Sequence, residues 1–363
     1  MIPKVQIFIK KQKPKYQRTF KTYNKKSGSK QIKTIVCPTK YLQLSLTTAI
    51  DVAKFLSTIF CDPAFAVKTQ AGAMECSLTA RVGEDYLFFS MVSNRSIFFC
   101  SDKKGGKTTF SCTDINLADN VNNLRNYSND LSHVATQVLG GFTTKTNFRH
   151  FHLPANTRWL NYSCNTEKIA SYMKENASNH EAIANQTNAI IPSSESLNQF
   201  RTVVKTALQH SGNVGTKAEH NNTIAKKSLA NCFNSSKQIK NIPLKETQRH
   251  MLCKDLVIWG YANVDAPLSL EIAIEQLHTT RASLSQGCKE TMGIGPMEIL
   301  RYIRLEHVYK ALTSSEIRRQ LDLQNVEKIR EHYSFMSRGN FAGTYKTYFE
   351  ESPKKTLMKS ENN

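Results

Sequence analysis

Two runs of polar residues near the C-terminus have side chains that can bond DNA base edges and phosphates. The first run lies between residues 280 and 289, and the second lies between residues 337 and 346. Arginine, lysine, glutamine and asparagine bond purine edges or phosphate oxygens, and serine and threonine bond either group. The candidate DNA-contacting residues are therefore Thr280, Arg281, Ala282, Ser283, Ser285, Gln286, Lys289, Ser337, Arg338, Asn340 and Lys346.

The first run is predicted to lie on the second helix of a helix-turn-helix unit. Ser269 can cap one helix and Thr280 the next, because a hydroxyl at this position accepts a bond from a free backbone amide. Apolar residues then follow at helical spacing and predict a buried stripe, namely Leu284, Cys288 and Met292. Because the connection between the two helices is short, they must cross steeply, and the polar residues of the second helix then project outward.

A second unit is predicted after a long helix. Pro296 suits the first turn of a helix, and residues 296–312 would span about 25 Å. Residues on its outer side are predicted to be Arg301, Arg304 and Lys310. Val326 lies in a further helix, and SFMS at 334–337 forms the turn before a last one. Two polar helices held apart by such a strut can enter major-groove segments about 34 Å apart.

Two segments carry motifs of defined order and spacing. They are LSLEIAIEQLHTTRASLSQGCKETMGIGPMEILRYIRLEHVYKAL and VEKIREHYSFMSRGNFAGTYKTYFEESPKKTL, with the phrases GIGP, RLE before AL, FMS and an F-x-x-S-P ending. Residues 268–357 thereby resemble the AraC/XylS family of bacterial transcription regulators. FAGTY and the IRRQLDLQ insert are similar to a subgroup typified by ethanolamine-utilisation regulators. The resemblance implies an effector-sensing or dimerising β-barrel ahead of the DNA-binding domain.

The chain departs from the pattern of that family at several positions. Other residues stand where the family usually has glycine, namely His278, Ser334 and Glu350. A positive φ at the two turn positions would cost energy for a residue with a side chain. Arg330 stands where a small residue is expected, and a buried arginine is expensive unless it reaches solvent. Gly339 and Gly343 offer bases no side chain, so the second unit is expected to read DNA backbone or shape.

Basic residues are concentrated at the N-terminus. The net charge of the 363-residue chain is +20, and residues 1–40 hold 12 Lys and Arg residues but no Asp or Glu. Residues 244–363 are nearly balanced, with 17 basic and 15 acidic residues. Residues 1–33 are therefore predicted to be a disordered basic tail. Such a tail either adds salt-sensitive affinity for nucleic acid or is only a solvated leader.

The predicted fold class is α+β, with a β-rich N-terminal sensing domain followed by an all-α domain of two helix-turn-helix units joined by a long helix. Residues 34–160 contain runs such as DYLFFSMV that predict strands of the sensing domain. Residues 161–245 are predicted to be a helical linker or dimerisation segment, with a break rich in Asn, Ser and Gly around residues 211–223. Residues 246–357 form the predicted DNA-binding domain, and residues 358–363 a disordered tail.

Enzyme, cofactor and membrane functions are not indicated. The nine cysteines are spread singly, and no H-E-x-x-H, G-x-S-x-G or phosphate-loop motif is present. His150 and His152, two residues apart on a predicted strand, can bind a metal or form a half-exposed strand surface. We expect the second, and so predict no enzyme, no cofactor and no metal site. Stretches of about 18 apolar residues are missing, which predicts no membrane span.

These observations predict a sequence-specific transcription regulator controlled by an unknown signal. Its predicted partners are double-stranded DNA, a small-molecule effector, RNA polymerase and a second copy of the chain. Its predicted location is the cytoplasm, on the nucleoid. Two alternatives stay open: a degenerate homologue that acts through protein interaction or non-specific DNA binding, and a catalytic N-terminal domain fused to a DNA-binding module.

Overall fold

The computed structural model describes residues 40–60, 62–102, 106–114, 137–142, 148–209, 216–235, 240–241, 248–267 and 269–361. The predicted basic tail at 1–33 lies outside the described residues, as do residues 362–363. The described elements all belong to one unit, Cys37–Asn363.

Strands predominate in the first part of the chain and helices in the second. The strands are β1 (Lys40–Leu46), β2 (Ala64–Lys68), β3 (Cys76–Val82), β4 (Tyr86–Ser93), β5 (Ile97–Asp102), β6 (Lys107–Asp114), β7 (Leu139–Gly140), β8 (Phe148–Leu153), β9 (Arg158–Asn165), β10 (Ala189–Ile191) and β11 (Lys240–Asn241). The helices are α1 (Ala49–Phe60), α2 (Thr166–Asn176), α3 (His180–Gln186), α4 (Ser194–Ala207), α5 (Thr216–Asn234), α6 (Gln248–Ala262), α7 (Leu270–Gln276), α8 (Arg281–Met292), α9 (Pro296–Thr313), α10 (Ser315–Gln320), α11 (Val326–His332), α12 (Arg338–Phe349) and α13 (Pro353–Glu361).

The larger sheet is buried on both faces at its centre. Among the described residues its strand order is β1-β3-β4-β9-β6-β7-β10-β11, and its paired strands are antiparallel. Side chains alternate between the faces of β4. Phe88 joins a core with helices α2 to α5, whereas Phe89 joins a second core with α1 and the smaller sheet. Burial of both faces explains why YLFFSMV is almost continuously apolar.

The smaller sheet connects the β-rich region to the C-terminal helices. Its antiparallel strands have the order β2-β5-β8. On one face, Ala66 and Phe99 pack in the core with α1 and the larger sheet. On the other face, Val67 and Phe98 pack in the core of the C-terminal helices. Strands β2 and β5 therefore contribute to the cores of both regions.

The predicted fold class is confirmed. A β-rich region is followed by helices α6 to α13, in which the pairs α7–α8 and α11–α12 form two helix-turn-helix units. Helix α9 joins the units and has 18 residues, a length of about 27 Å at about 1.5 Å per residue. Within the described ranges, no helix is long and apolar enough to cross a membrane.

Three local expectations are corrected by the structure. Helix α13 runs from Pro353 to Glu361, where a disordered tail was expected from residue 358. Its proline lies in the first turn, where a missing amide hydrogen costs nothing. Helix α5 begins at Thr216, inside a segment expected to be a break. Arg304, expected on the outer side of α9, is 3% exposed.

Candidate nucleic-acid interface

The first helix-turn-helix unit has the caps and the buried stripe that the sequence predicts. Ser269 Oγ accepts a bond from Ile272 N at 3.3 Å at the start of α7. Thr280 Oγ1 accepts a bond from Ser283 N at 3.2 Å at the start of α8. The stripe of α8 that packs into the core is fully buried, namely Leu284, Cys288 and Met292. The orientation of α8 is therefore fixed by capping and by packing.

The polar face of α8 carries the predicted contacts of the first unit. Exposed members are Thr280, Arg281, Ala282, Gln286 and Lys289, and half-buried members are Ser283 and Ser285. Two of the longer side chains are already bonded to carboxylates. Arg281 pairs with Glu271 of α7, and Gln286 Nε2 donates to Glu290 Oε1 at 2.8 Å. Glu290 Oε1 also accepts from Arg249 at 3.2 Å, so one amide N–H of Gln286 is part of a small network on this face.

The second unit exposes a smaller set of side chains. Ser337 Oγ accepts a bond from Asn340 N at 3.4 Å and caps α12. The predicted contacts of this unit are all exposed, namely Ser337, Arg338, Asn340 and Lys346. A Cβ atom added at Gly339 or Gly343 would meet no atom within 4 Å. The centre of the exposed face of α12 therefore carries no side chains. This arrangement favours contact with DNA phosphates, or recognition of DNA shape, over bonds to base edges.

Arg330 is buried, and both terminal nitrogens of its guanidinium are bonded. It donates to the backbone oxygen of Phe335 and, at 2.9 Å, to that of Met336, both in the turn before α12. It also pairs with Glu327 at 2.7 Å and Glu331 at 3.4 Å. Arg330 therefore bonds the turn that precedes α12, and these bonds offset the cost of its burial.

The two turns use left-handed backbone at residues other than glycine. His278 has a φ of 48° and Ser334 a φ of 58°. This conformation costs roughly 1–2 kcal/mol for a residue with a side chain. A glycine would relieve that cost, but its larger conformational entropy in the unfolded chain would cancel part of the gain in stability.

We expect His278→Gly to raise the free energy of unfolding by about 0.5–1 kcal/mol. Ser334→Gly should give no gain, because Ser334 Oγ donates to Asp265 O at 2.9 Å and this bond is lost. Urea denaturation of both variants measures the difference. Equal stabilisation by the two glycines would contradict the role of the Ser334 hydroxyl.

Charged side chains of helix α9 are bonded to neighbouring elements on several sides of the helix. Arg304 donates to Asn263 O at 3.2 Å and to Tyr333 O at 3.4 Å, so it connects the end of α6 to the end of α11. Lys310 pairs with Asp51 of α1 at 2.6 Å. These bonds hold the two units at a defined separation along α9 and attach α9 to the β-rich region.

The C-terminal end of α12 contacts the β-rich region. Gly72 N donates to Thr347 O at 3.2 Å, and Lys68 Nζ donates to Tyr348 O at 2.8 Å. Arg95 pairs with Glu350 at 3.1 Å, just beyond the helix. No pattern in the sequence predicts these contacts, which join residues 255 to 280 positions apart in the chain.

A buried carboxylate lies beside these contacts. Glu306 of α9 is 1% exposed and accepts from Ala49 N at 2.9 Å and from Tyr348 Oη at 3.2 Å. Burial raises the pKa of Glu306 to about 7, and the charge of Lys68 opposes that rise. Burial lowers the pKa of Lys68 to about 8, against the charge of Glu306. One signal was available in the sequence: Glu306 lies three positions after Ile303, on the apolar side of α9.

A cleft of about 420 Å³ borders the exposed face of α12. It is lined by Ala71, Glu298, Arg301, Tyr302, Gly339, Asn340, Gly343, Thr344, Thr347 and Tyr348. The cleft therefore places the loop after β2 next to the two glycines of α12 and Arg301 of α9.

Histidine and cysteine side chains are the remaining candidates for metal and thiol chemistry in the described part of the chain. No group of three or more His, Cys, Asp or Glu side chains there is placed to hold a metal ion. His152 Nε2 lies 3.2 Å from Thr69 Oγ1, whereas the side chain of His150 lies outside the described residues. Cys112 and Cys232 are buried, and burial raises the pKa of each to about 12, which disfavours a reactive thiolate.

Comparisons with known proteins give low-identity structural matches only. The chain is similar to an AraC-type transcriptional regulator from Chromobacterium violaceum, with 19% identity over 31% of this chain and 95% of that chain, at a TM-score of 0.28. It is also similar to the C-terminal domain of AraT, a response regulator from Geobacillus stearothermophilus, with 21% identity over 30% and 84%, at 0.26. ToxT from Vibrio cholerae matches with 9% identity over 89% and 98%, at 0.29. No protein-family model and no curated protein matches the chain.

Proposed function

We propose that this chain is a sequence-specific DNA-binding transcription regulator that uses α8 as its first reading helix and α12 as its second. The observation that carries this proposal is the pair of capped helices with polar or bare exposed faces, joined by the buried helix α9. Helix α9, about 27 Å long, has a length comparable with one turn of DNA, about 34 Å. The β-rich region would receive the signal, for which a small molecule is the proposed class.

The first reading helix is proposed to supply most of the base recognition. Gln286 can bond adenine through both ends of its amide, and a good bidentate contact is worth about 1–3 kcal/mol of discrimination. Ser285 and Lys289 flank it on the same helix. The second reading helix presents Gly339 and Gly343 at the centre of its exposed face, so we assign Arg338 to a phosphate.

Selection of bound sequences from a random DNA pool with the full-length protein tests the function. We expect a motif of two half-sites whose centres lie about 10–10.5 base pairs apart. Retention of DNA without any enriched motif would contradict sequence-specific regulation and favour non-specific binding. Failure to retain DNA at low salt by protein that is folded by circular dichroism would contradict DNA binding altogether.

Two variants separate the roles of the reading helices. Gln286→Ala should relax the preference at one or two adjacent base pairs, whereas Arg338→Ala should weaken binding to all sequences alike. A panel of single-base variants of the selected motif measures both effects. A position-specific loss for Arg338→Ala together with a uniform loss for Gln286→Ala would reverse the assignment.

A further inference from the structure

The end of the second reading helix lacks partners within its own helix. The last carbonyl oxygens of any α-helix have no amide of the same helix to accept from, so they need bonds from elsewhere. In α12, the Lys346 oxygen accepts from Glu350 N at 2.7 Å, within the same segment. The next two oxygens, those of Thr347 and Tyr348, accept from Gly72 N and Lys68 Nζ of the β-rich region.

The ammonium group of Lys68 is held in this position by several contacts. Its side chain is fully buried, and its Nζ also donates to Gly72 O at 2.5 Å, so the loop after β2 is folded around the same ammonium group. The ammonium group lies 3.7 Å from the centre of the Tyr348 ring and 5.0 Å from that of Phe349. A cation at the C-terminal end of a helix is favoured by the helix dipole and by the aromatic faces.

The carboxylate that balances this charge comes from the linking helix. Glu306 accepts from Tyr348 Oη, so the same tyrosine is bonded through its backbone to β2 and through its hydroxyl to α9. Gly72 has a φ of 105°, which residues with a side chain rarely adopt, and an added Cβ would also displace the Arg95 guanidinium, 2.3 Å away. The position of α12 relative to α9 thus depends on a residue of the β-rich region.

We propose that Lys68 is a positioning residue for the second reading helix, which it holds in place for DNA binding by completing the C-terminal end of α12 from β2. This inference rests on the proposed function. Through Lys68, the β-rich region affects binding at the half-site read by α12 and leaves the half-site read by α8 unaffected.

The test uses full-length Lys68→Met and its matched control Lys310→Met. Both substitutions remove an ammonium group that joins the β-rich region to the C-terminal helices, but Lys310 pairs with Asp51 and is not bonded to α12. Affinity is measured on DNA with both half-sites and on DNA with only the half-site whose preference changes in Gln286→Ala.

We expect Lys68→Met to lose about tenfold in affinity for the two-half-site DNA, the loss expected for a charge-assisted bond to a helix end. Its affinity for the single half-site should change less than about twofold, as should both affinities of Lys310→Met. An equal loss on both DNAs, an equal loss in both variants, or tighter binding by Lys68→Met would each overturn the inference.

Two further measurements keep the result interpretable. Gly72→Ala displaces the loop while retaining the lysine, and should reproduce the loss on the two-half-site DNA if Lys68→Met does not fold. Unchanged binding by folded Gly72→Ala would overturn the inference in that case. Wild-type protein that binds neither DNA would contradict the proposed function itself, whereas normal wild-type binding with an unaffected Lys68→Met overturns only the role of Lys68.

Discussion

Replacing Glu306 with alanine is expected to lower the free energy of unfolding by about 3–5 kcal/mol, the cost of breaking a buried charged cluster. The substitution removes the acceptor for Ala49 N and Tyr348 Oη and leaves the buried Lys68 without the nearby carboxylate. Urea denaturation of the full-length protein measures the loss. Glu306→Gln is the matched control, because it keeps the shape of the side chain and one oxygen that can accept one of the two bonds, which go to different oxygens of Glu306. Its loss should be smaller than that of Glu306→Ala.

The raised pKa of Glu306 also predicts that the stability of the protein depends on pH. The Glu306 carboxyl has a pKa of about 7 in the folded protein and its ordinary value of 4.5 when unfolded. Between these values the folded protein binds more protons, so this group makes stability fall as pH rises. Burial lowers the pKa of His152 and His307 to about 4, and their contribution has the opposite sign. The difference between wild type and Glu306→Gln isolates the Glu306 contribution.

We therefore expect the stability advantage of wild type over Glu306→Gln to decrease as pH rises from 4.5 to 7, the two values that bound the titration. Chemical denaturation at several pH values in this range gives the difference curve. A constant difference in unfolding free energy between the two proteins over this range would mean that the pKa of Glu306 is not raised in the folded protein. That result would contradict a protonated, buried Glu306 carboxyl.

Local features of the C-terminal region could be predicted from the sequence because local chemistry determines them. A helix cap needs one hydroxyl and an amide two or three residues later, and both Ser269 and Thr280 act as predicted. The buried stripe of α8 follows from a 3.6-residue period. The positive φ at His278 was likewise deducible from a turn that normally takes glycine.

Long-range contacts could not be predicted in the same way. Lys68 bonds an oxygen 280 positions later, and no pattern near either residue indicates that pairing. Arg304 was assigned to the outer side of α9 because that helix was treated as having one buried face. In the structure α9 packs against both helix-turn-helix units and α1, so charged side chains on its other faces are buried and bonded.

Among the strands, too, some could be predicted from local sequence and others could not. The apolar run of β4 was predicted because strands buried on both faces are rich in Phe, Leu and Val. β2 and β3 were missed, since AFAVK and CSLTARV are short and mix polar with small residues. Their burial depends on the sheet and helices around them rather than on their own composition.

Arg330→Ala is expected to lower the free energy of unfolding by about 2 kcal/mol, from the loss of several charge-assisted hydrogen bonds. The effect should be smaller than that of Glu306→Ala, because Glu327 and Glu331 are half exposed and water can solvate them once the arginine is gone. The oxygens of Phe335 and Met336 lose their donor, so the turn before the second reading helix becomes less well defined.

The DNA-binding consequence of Arg330→Ala should be confined to one half-site. The substitution acts on the N-terminal end of α12, whereas α8 lies in the other helix-turn-helix unit and keeps its own caps. We expect about tenfold weaker binding to DNA with both half-sites and no change on DNA with only the half-site of α8. Arg330→Lys should be intermediate, because an ammonium group cannot reproduce the planar fork that reaches the carbonyl oxygens and Glu327 together. If Arg330→Ala bound the two-half-site DNA as tightly as wild type, the turn would be set by packing of α11 and α12 alone, and the small residue usual in the resembled family would serve here equally well.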